Sequence, residues 1–277
     1  ATLSKAFKLG TGTDAFKDGI AAVVATLLDS PQFLYQTEAG KPLSGSPGVV
    51  QLTGFEVASR LSLLLWDSIP DDTLLDAAAE GKLDTSDGIR AQLDRLLGDA
   101  KAKATVVRFA REWIHMPTHA VGKKDDKAYT AELSLAMQSE FDKFVGDSFL
   151  GQGKNLKDFF TSSATYANPA LDTFIKANGG YTGRAGLLTQ PALLTGISNS
   201  GDTSPIRRSV FIRSKVTCEV FPAPPNDALS VETGLPLPAT ATQRERSTAR
   251  LQKAVCAGCH QLIDPLGFGF EAFDELG

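Results

Sequence analysis

Few residues in this chain can do chemistry. Its 277 residues include three cysteines and three histidines, and three of those six stand together as Cys256-Ala257-Gly258-Cys259-His260. A C-x-x-C-H string reads as a site of covalent c-type haem attachment. The chemistry explains the order. Two thiols add across the two vinyl groups of the porphyrin. Two intervening residues let one turn present both sulfurs to one edge, and the next imidazole is directed at the iron as axial ligand. Two other readings compete. A disulfide or redox pair needs only C-x-x-C, but it normally ends a strand of a βαβ unit, and the stretch 240–255 is polar and helix-like. A zinc site would draw on Cys218, Cys256, Cys259 and His260, yet adjacent Cys259 and His260 are poorly spaced for one tetrahedral ion. Cys218 itself reads as a small buried hydrophobe in a helix.

The neighbouring residues suit the haem reading. Phe268, Phe270 and Phe273, with Leu262, Ile263 and Leu266, follow the ligand closely and would give a haem plane an apolar wall. Pro265 ends the segment, and its carbonyl, or that of Asp264, could accept from His260 Nδ1–H and fix the ring. Upstream, Arg244, Arg246, Arg250 and Lys253 stand against one acid, Glu245. Arg250 and its neighbours are candidate partners for anionic propionates, a solvated helix face being the alternative. The second iron ligand must lie upstream, because the residues after His260 include neither Met nor His. The candidates are Met116, His119 and His115, clustered near one helix end, and Met137 on a core stripe. Otherwise the iron is five-coordinate, water-bound or ligated by another chain.

The elements that would position these residues are helices. Asp14 can cap a helix over 15–29, with an apolar stripe of Phe16, Ile20, Val23, Val24, Leu27 and Leu28. Thr53 and Glu56 form a capping box for a helix reaching Trp66. Further helices are expected from Pro70 to Gly81, over 89–97 and over 102–114, the last stopped by Pro117. Leu133, Met137, Phe141, Phe144, Val145 and Phe149 give the cleanest amphipathic pattern. Residues 151–201 break into short pieces, 205–220 resume a helix, and 221–241 read as a proline-rich extended connector. A last helix leads into Cys256. The fold expected is mainly α: a helical bundle over 1–150, followed by a looser, loop-rich α-helical half over 151–277 that carries the haem.

Composition narrows the function. With 42% hydrophobic and 22% charged residues, the chain is an ordinary globular one rather than a disordered or low-complexity one. A net charge of −4 disfavours nucleic acid as partner. The longest apolar run, 20–28, is far short of the roughly 20 residues that span a bilayer. No P-loop, HExxH or GxSxG motif is present. Asp71/Asp72 and Asp125/Asp126 read as solvated charge. Arg184, Arg207 and Arg208 read as anion ligands or as structural partners of acids.

The closing string C-A-G-C-H-x-x-I-D-P-L-G-F-x-x-E-x-F-D-x-x-G resembles the end of a bacterial family of large, extracytoplasmic, cytochrome-like proteins built of consecutive domains of unknown function. Arg184 to Gln190 resembles the family's R-x-G-L-L-T-Q segment, and Thr203 to Arg208 its T-S-P-x-x-R-G segment, with Ser209 where Gly is usual. Residues 222–226 are similar to its P-x-P-P-N stretch, and 30–35 and 55–70 to the preceding domains. The resemblance covers most of 15–277. It implies export, one covalent haem and further chain at both ends, but no assigned reaction.

Together these readings predict a c-type cytochrome with one haem on Cys256 and Cys259 and His260 as proximal ligand, transferring electrons outside the cytoplasm, in the periplasm or beyond. A redox partner protein or a larger complex is expected, and no transmembrane segment in this chain. The alternatives are a haem enzyme of peroxidase or oxidase type with an open distal site, and a haem-containing redox or structural subunit of a larger complex. An electron-transfer role is preferred to an enzymatic one.

Overall fold

The computed structural model describes residues 2–116, 124–151, 155–221, 237–238 and 240–277. His119, Pro117 and most of the connector 221–241 lie outside the described residues. The chain divides into two compact units, Ala1–Gly98 and Asp99–Gly277.

The first unit runs α1 (Thr2–Phe7), α2 (Ala15–Leu28), α3 (Pro31–Leu34), a two-stranded antiparallel pair of β1 (Lys41–Pro42) and β2 (Val50–Gln51), then α4 (Gly54–Trp66), α5 (Asp72–Ala79) and α6 (Ser86–Leu97). Two expected caps form. Asp14 accepts from Lys17 N, and Thr53 and Glu56 make the reciprocal capping box. The α5 helix starts two residues after Pro70, because Asp71 takes the cap by accepting from Leu74 N. The same Asp71 receives both guanidinium nitrogens of Arg95 at 2.8 and 2.9 Å, and Arg95 lies over the Trp66 ring. The Trp66 indole N–H reaches Leu96 O at 3.0 Å, so one buried aromatic ties α4 to α6. The apolar stripe of α2 is not buried: Phe16, Ile20, Val24, Leu27 and Leu28 are all exposed.

The second unit comprises α7 (Ala100–Trp113), α8 (Ala131–Leu150), α9 (Leu156–Thr161), α10 (Pro169–Ala177), a 3₁₀ turn Leu187–Thr189, α11 (Pro191–Gly196), α12 (Pro205–Phe211) continuing as a π-turn Ile212–Val216, α13 (Gln243–Leu251) and α14 (Ala254–Phe268). Here α8 is central rather than amphipathic. Its buried residues include Ser134, Gln138 and Glu140 as well as Met137, Phe141, Phe144 and Val145. Helices wrapped on several sides must bury some polar positions; Gln138 Nε2 donates to Ser134 O at 3.4 Å within the helix, and Glu140 Oε1 accepts from Thr165 Oγ1 at 2.6 Å from outside it. Phe144 of α8 stacks on Phe159, which stacks in turn with Trp113 of α7.

Three expectations about the carboxyl-terminal elements change. The helix beginning at Pro205 stops at the π-turn, and Cys218 follows it, exposed and with φ of 57°. Cys218 is therefore neither helical nor a buried hydrophobe. No single helix leads into Cys256: α13 ends at Leu251 and a new helix opens at Ala254. Pro265 sits inside α14 rather than ending it. The carbonyl four residues earlier gives up one helical bond to the missing N–H, and the helix runs on to Phe268. Among the described residues no helix is long and apolar enough to cross a membrane.

Candidate functional site

The site is built on α14. Cys256, Cys259 and His260 fall at i, i+3 and i+4, which a 3.6-residue period places on one face. Cys256 is in the first turn, its N–H bonded to Lys253 O at 2.9 Å. Both thiols are uncrosslinked, Cys259 exposed and Cys256 half-buried. The space around the intervening glycine is open, since a Cβ on Gly258 would meet nothing within 4 Å. Cys259 belongs to an exposed apolar stripe with Val255, Leu262 and Leu266, which are 50, 54 and 39% exposed. Apolar side chains left uncovered beside two thiols form a surface that an apolar group can cover.

The opposite side of the imidazole is held firmly. His260 Nδ1 lies 2.9 Å from Asp264 Oδ1. A carboxylate oxygen only accepts, so Nδ1 carries the proton, and Nε2 is the nitrogen that offers a lone pair when the ring is neutral. Asp264 is buried, and its Oδ2 accepts from Ser247 Oγ of α13. Burial pushes the Asp264 carboxyl up. The hydrogen bonds from His260 and Ser247, with the charges of His260 and Arg250, outweigh that and hold it below the usual carboxylate value. The acceptor for Nδ1–H is thus a carboxylate side chain, where the sequence suggested a main-chain carbonyl of Asp264 or Pro265. Asp264 at i+4 from His260 was the available signal; Ser247, on another helix, had none.

The other sequence candidates fall in separate places. Arg250 is buried and close enough to Asp264 for its charge to act there. Phe268 is half-buried under the guanidinium of Arg244, 4.5 Å away. Met116 is buried and lines a cavity of about 600 Å³ with Lys103, Val107, Arg111 and Lys143; α14 contributes none of its lining. Met137 is buried in the core, its sulfur 3.7 Å from Thr195 Oγ1. His115 has φ of 54°, and its Nε2 is 2.5 Å from Lys215 Nζ in the π-turn. The same turn takes the indole N–H of Trp113 on Lys215 O, and sends Arg213 to Leu262 O of α14, both at 2.9 Å. Among the described residues no group of three or more His, Cys, Asp or Glu could hold a metal ion.

Packing against α12 fixes α14. A Cβ on Gly267 would lie 2.0 Å from Pro205 O, so only glycine permits this approach. Arg208, 1% exposed, bonds the carbonyls of Phe270, Phe273 and Asp274 at 2.6, 2.8 and 2.6 Å, with Glu271 Oε1 at 3.1 Å. Thr203 Oγ1 donates to Glu271 Oε2 at 2.6 Å. Arg208 is thereby a structural clamp on the chain end. Arg184 serves similarly, lying over the Phe273 ring and donating to Gly180 O and Thr189 O.

The fold and site therefore define a mainly α-helical protein whose last helix presents two thiols and an oriented imidazole. Residues 52–174 match the family PSD4, described as a protein of unknown function (DUF1592), and residues 184–277 match PSCyt3, described as a protein of unknown function (DUF1588). The chain thus carries two consecutive domains of unknown function, the second containing the whole site. Neither the curated proteins nor the solved structures contain a match to it.

Proposed function

We propose that this chain is an extracytoplasmic c-type cytochrome that carries one covalent haem on Cys256 and Cys259, with His260 as proximal ligand, and transfers electrons to a partner protein or within a larger complex. The observation that carries the reading is the donor set on α14: two uncrosslinked thiols and an imidazole on one face, with Nδ1 tied to Asp264 and Nε2 presented. The exposed stripe of Val255, Leu262 and Leu266 supplies an apolar surface beside them. The name PSCyt3 points the same way.

The chemistry asked of the residues is simple. Each thiol would add its S–H across a vinyl C=C, sulfur bonding one carbon and hydrogen the other, so no oxidant would be consumed. His260 Nε2 would supply a lone pair to the iron, and Asp264 holds the ring's orientation and its proton on Nδ1. Bound haem would contribute a one-electron iron couple. The resemblance of the closing segment to an exported family supports the extracytoplasmic location.

A second reading, a haem enzyme with an open distal position, is favoured by the placement of two described distal candidates. Met137 is engaged in the core, and Met116 lines a cavity without α14. One experiment separates the two. The chain is matured in an export pathway with haem-attachment machinery, and its ferric spectrum is recorded with and without cyanide. A low-spin spectrum that cyanide does not shift supports electron transfer; a high-spin form that binds cyanide and peroxide supports the enzyme. A parent protein with no bis-thioether pyridine haemochrome contradicts both.

A further inference from the structure

The contact between His260 and Asp264 does more than orient a ring, and the following inference rests on the haem reading above. The acceptor at Nδ1 is a buried carboxylate, 2.9 Å away, rather than a neutral carbonyl. An ionised acceptor makes a stronger hydrogen bond and draws the Nδ1 proton further from the ring. Imidazole basicity at Nε2 rises accordingly. Asp264 is not left alone with His260, because Ser247 Oγ donates to its other oxygen from α13. That second donor withdraws charge from the carboxylate and weakens its pull on Nδ1–H.

We propose that Asp264 and Ser247 are positioning residues that set, with opposite signs, how strongly His260 Nε2 donates to the iron. Asp264 strengthens the donation and Ser247 moderates it. A more basic axial imidazole favours the ferric state, so the couple lies lower than a neutral acceptor would leave it. The pair is a tuning device assembled from two helices, and α13 influences the iron without supplying a ligand.

The opposite signs make the test sharp. The full chain is matured with haem as parent, Asp264→Asn and Ser247→Ala. Covalent haem is scored first by the pyridine haemochrome, then the midpoint potential is measured by spectroelectrochemical titration. Asp264→Asn is expected to raise the ferrous-to-ferric ratio at fixed potential about tenfold, equivalent to about 59 mV for one electron. Ser247→Ala is expected to move the ratio the other way, which a merely structural role would not do. If Asp264→Asn does not fold, Ser247→Ala decides alone, and a potential at or above the parent's overturns the inference. Coincident potentials in the three haem-loaded proteins overturn it while leaving the haem reading standing. Absence of the haemochrome from the parent overturns the haem reading itself.

Discussion

His260 and Asp264 stand four positions apart, so one helical turn brings their side chains together. That pairing could be read from spacing once the segment is known to be helical. Pro265 obscured it, because a proline normally ends a helix and directs attention to main-chain carbonyls. Ser247 was illegible for a different reason: its bond to Asp264 exists only after α13 folds back on α14. Other residues make predictions at this scale. Ser209 stands where the resemblance leads one to expect Gly, and it is fully buried with a hydroxyl that has no hydrogen-bond partner among the described residues. Ser209→Ala removes that hydroxyl and is expected to stabilise the protein by about 1 kcal/mol, read as a rise in Tm; a fall in Tm contradicts the assignment. Glu56 accepts from the N–H groups of Gly40, Thr53 and Ala39 and from the Thr53 hydroxyl. Those bonds, led by Gly40 and Thr53, hold its carboxyl at about 2, below its ordinary 4.5. A depressed carboxylate contributes its stabilisation fully above the ordinary value and loses it as pH falls toward about 2. An NMR titration should find the Glu56 carboxyl midpoint near 2, and a midpoint at 4 or above contradicts these four hydrogen bonds.

Helix starts were the most legible elements, because a cap is a local event. Asp14 and Thr53 open α2 and α4 as their types and spacing require. The misread elements were set by distant contacts. The α8 helix has an apolar stripe in sequence, but neighbours also cover its polar positions, so periodicity alone understated its burial. The helix after Pro205 loosens into a π-turn whose carbonyl at Lys215 and side chain of Arg213 are used by α7 and α14. Such π-turns often mark functional places, and no residue type announces one. Arg208 was read as an anion ligand or a structural partner; the carbonyls it clamps lie more than sixty positions away. Two substitutions test the α12–α14 junction. Gly267→Ala sets a methyl against Pro205 O and is expected to cost about 3 kcal/mol. Arg208→Met strips several bonds from the 270–274 turn and is expected to cost about 3 kcal/mol or more. Chemical denaturation reads both; a change below about 0.5 kcal/mol in either, the range of ordinary surface substitutions, contradicts the junction described.

At the scale of the whole molecule, segments that looked like separate motifs in sequence converge within the second unit. The 184–190, 203–208 and 260–274 stretches meet through Arg184 on Phe273, Thr203 on Glu271 and Arg208 on the closing turn. Their job is to hold α14, whose thiols and imidazole share one face. The mainly α class was legible from helical periodicity and caps. The convergence was not, since it depends on arginines and a glycine meeting main-chain atoms far along the chain. A redox role for this protein requires that α14 carry a covalent haem. The direct measurement is the intact mass of the chain after maturation in an export pathway with haem-attachment machinery, beside a Cys256→Ala/Cys259→Ala double variant. The expected result is a parent heavier than its polypeptide by one haem, and a double variant at the bare polypeptide mass. A parent at the bare mass, with Cys256 and Cys259 both open to alkylation, would contradict it.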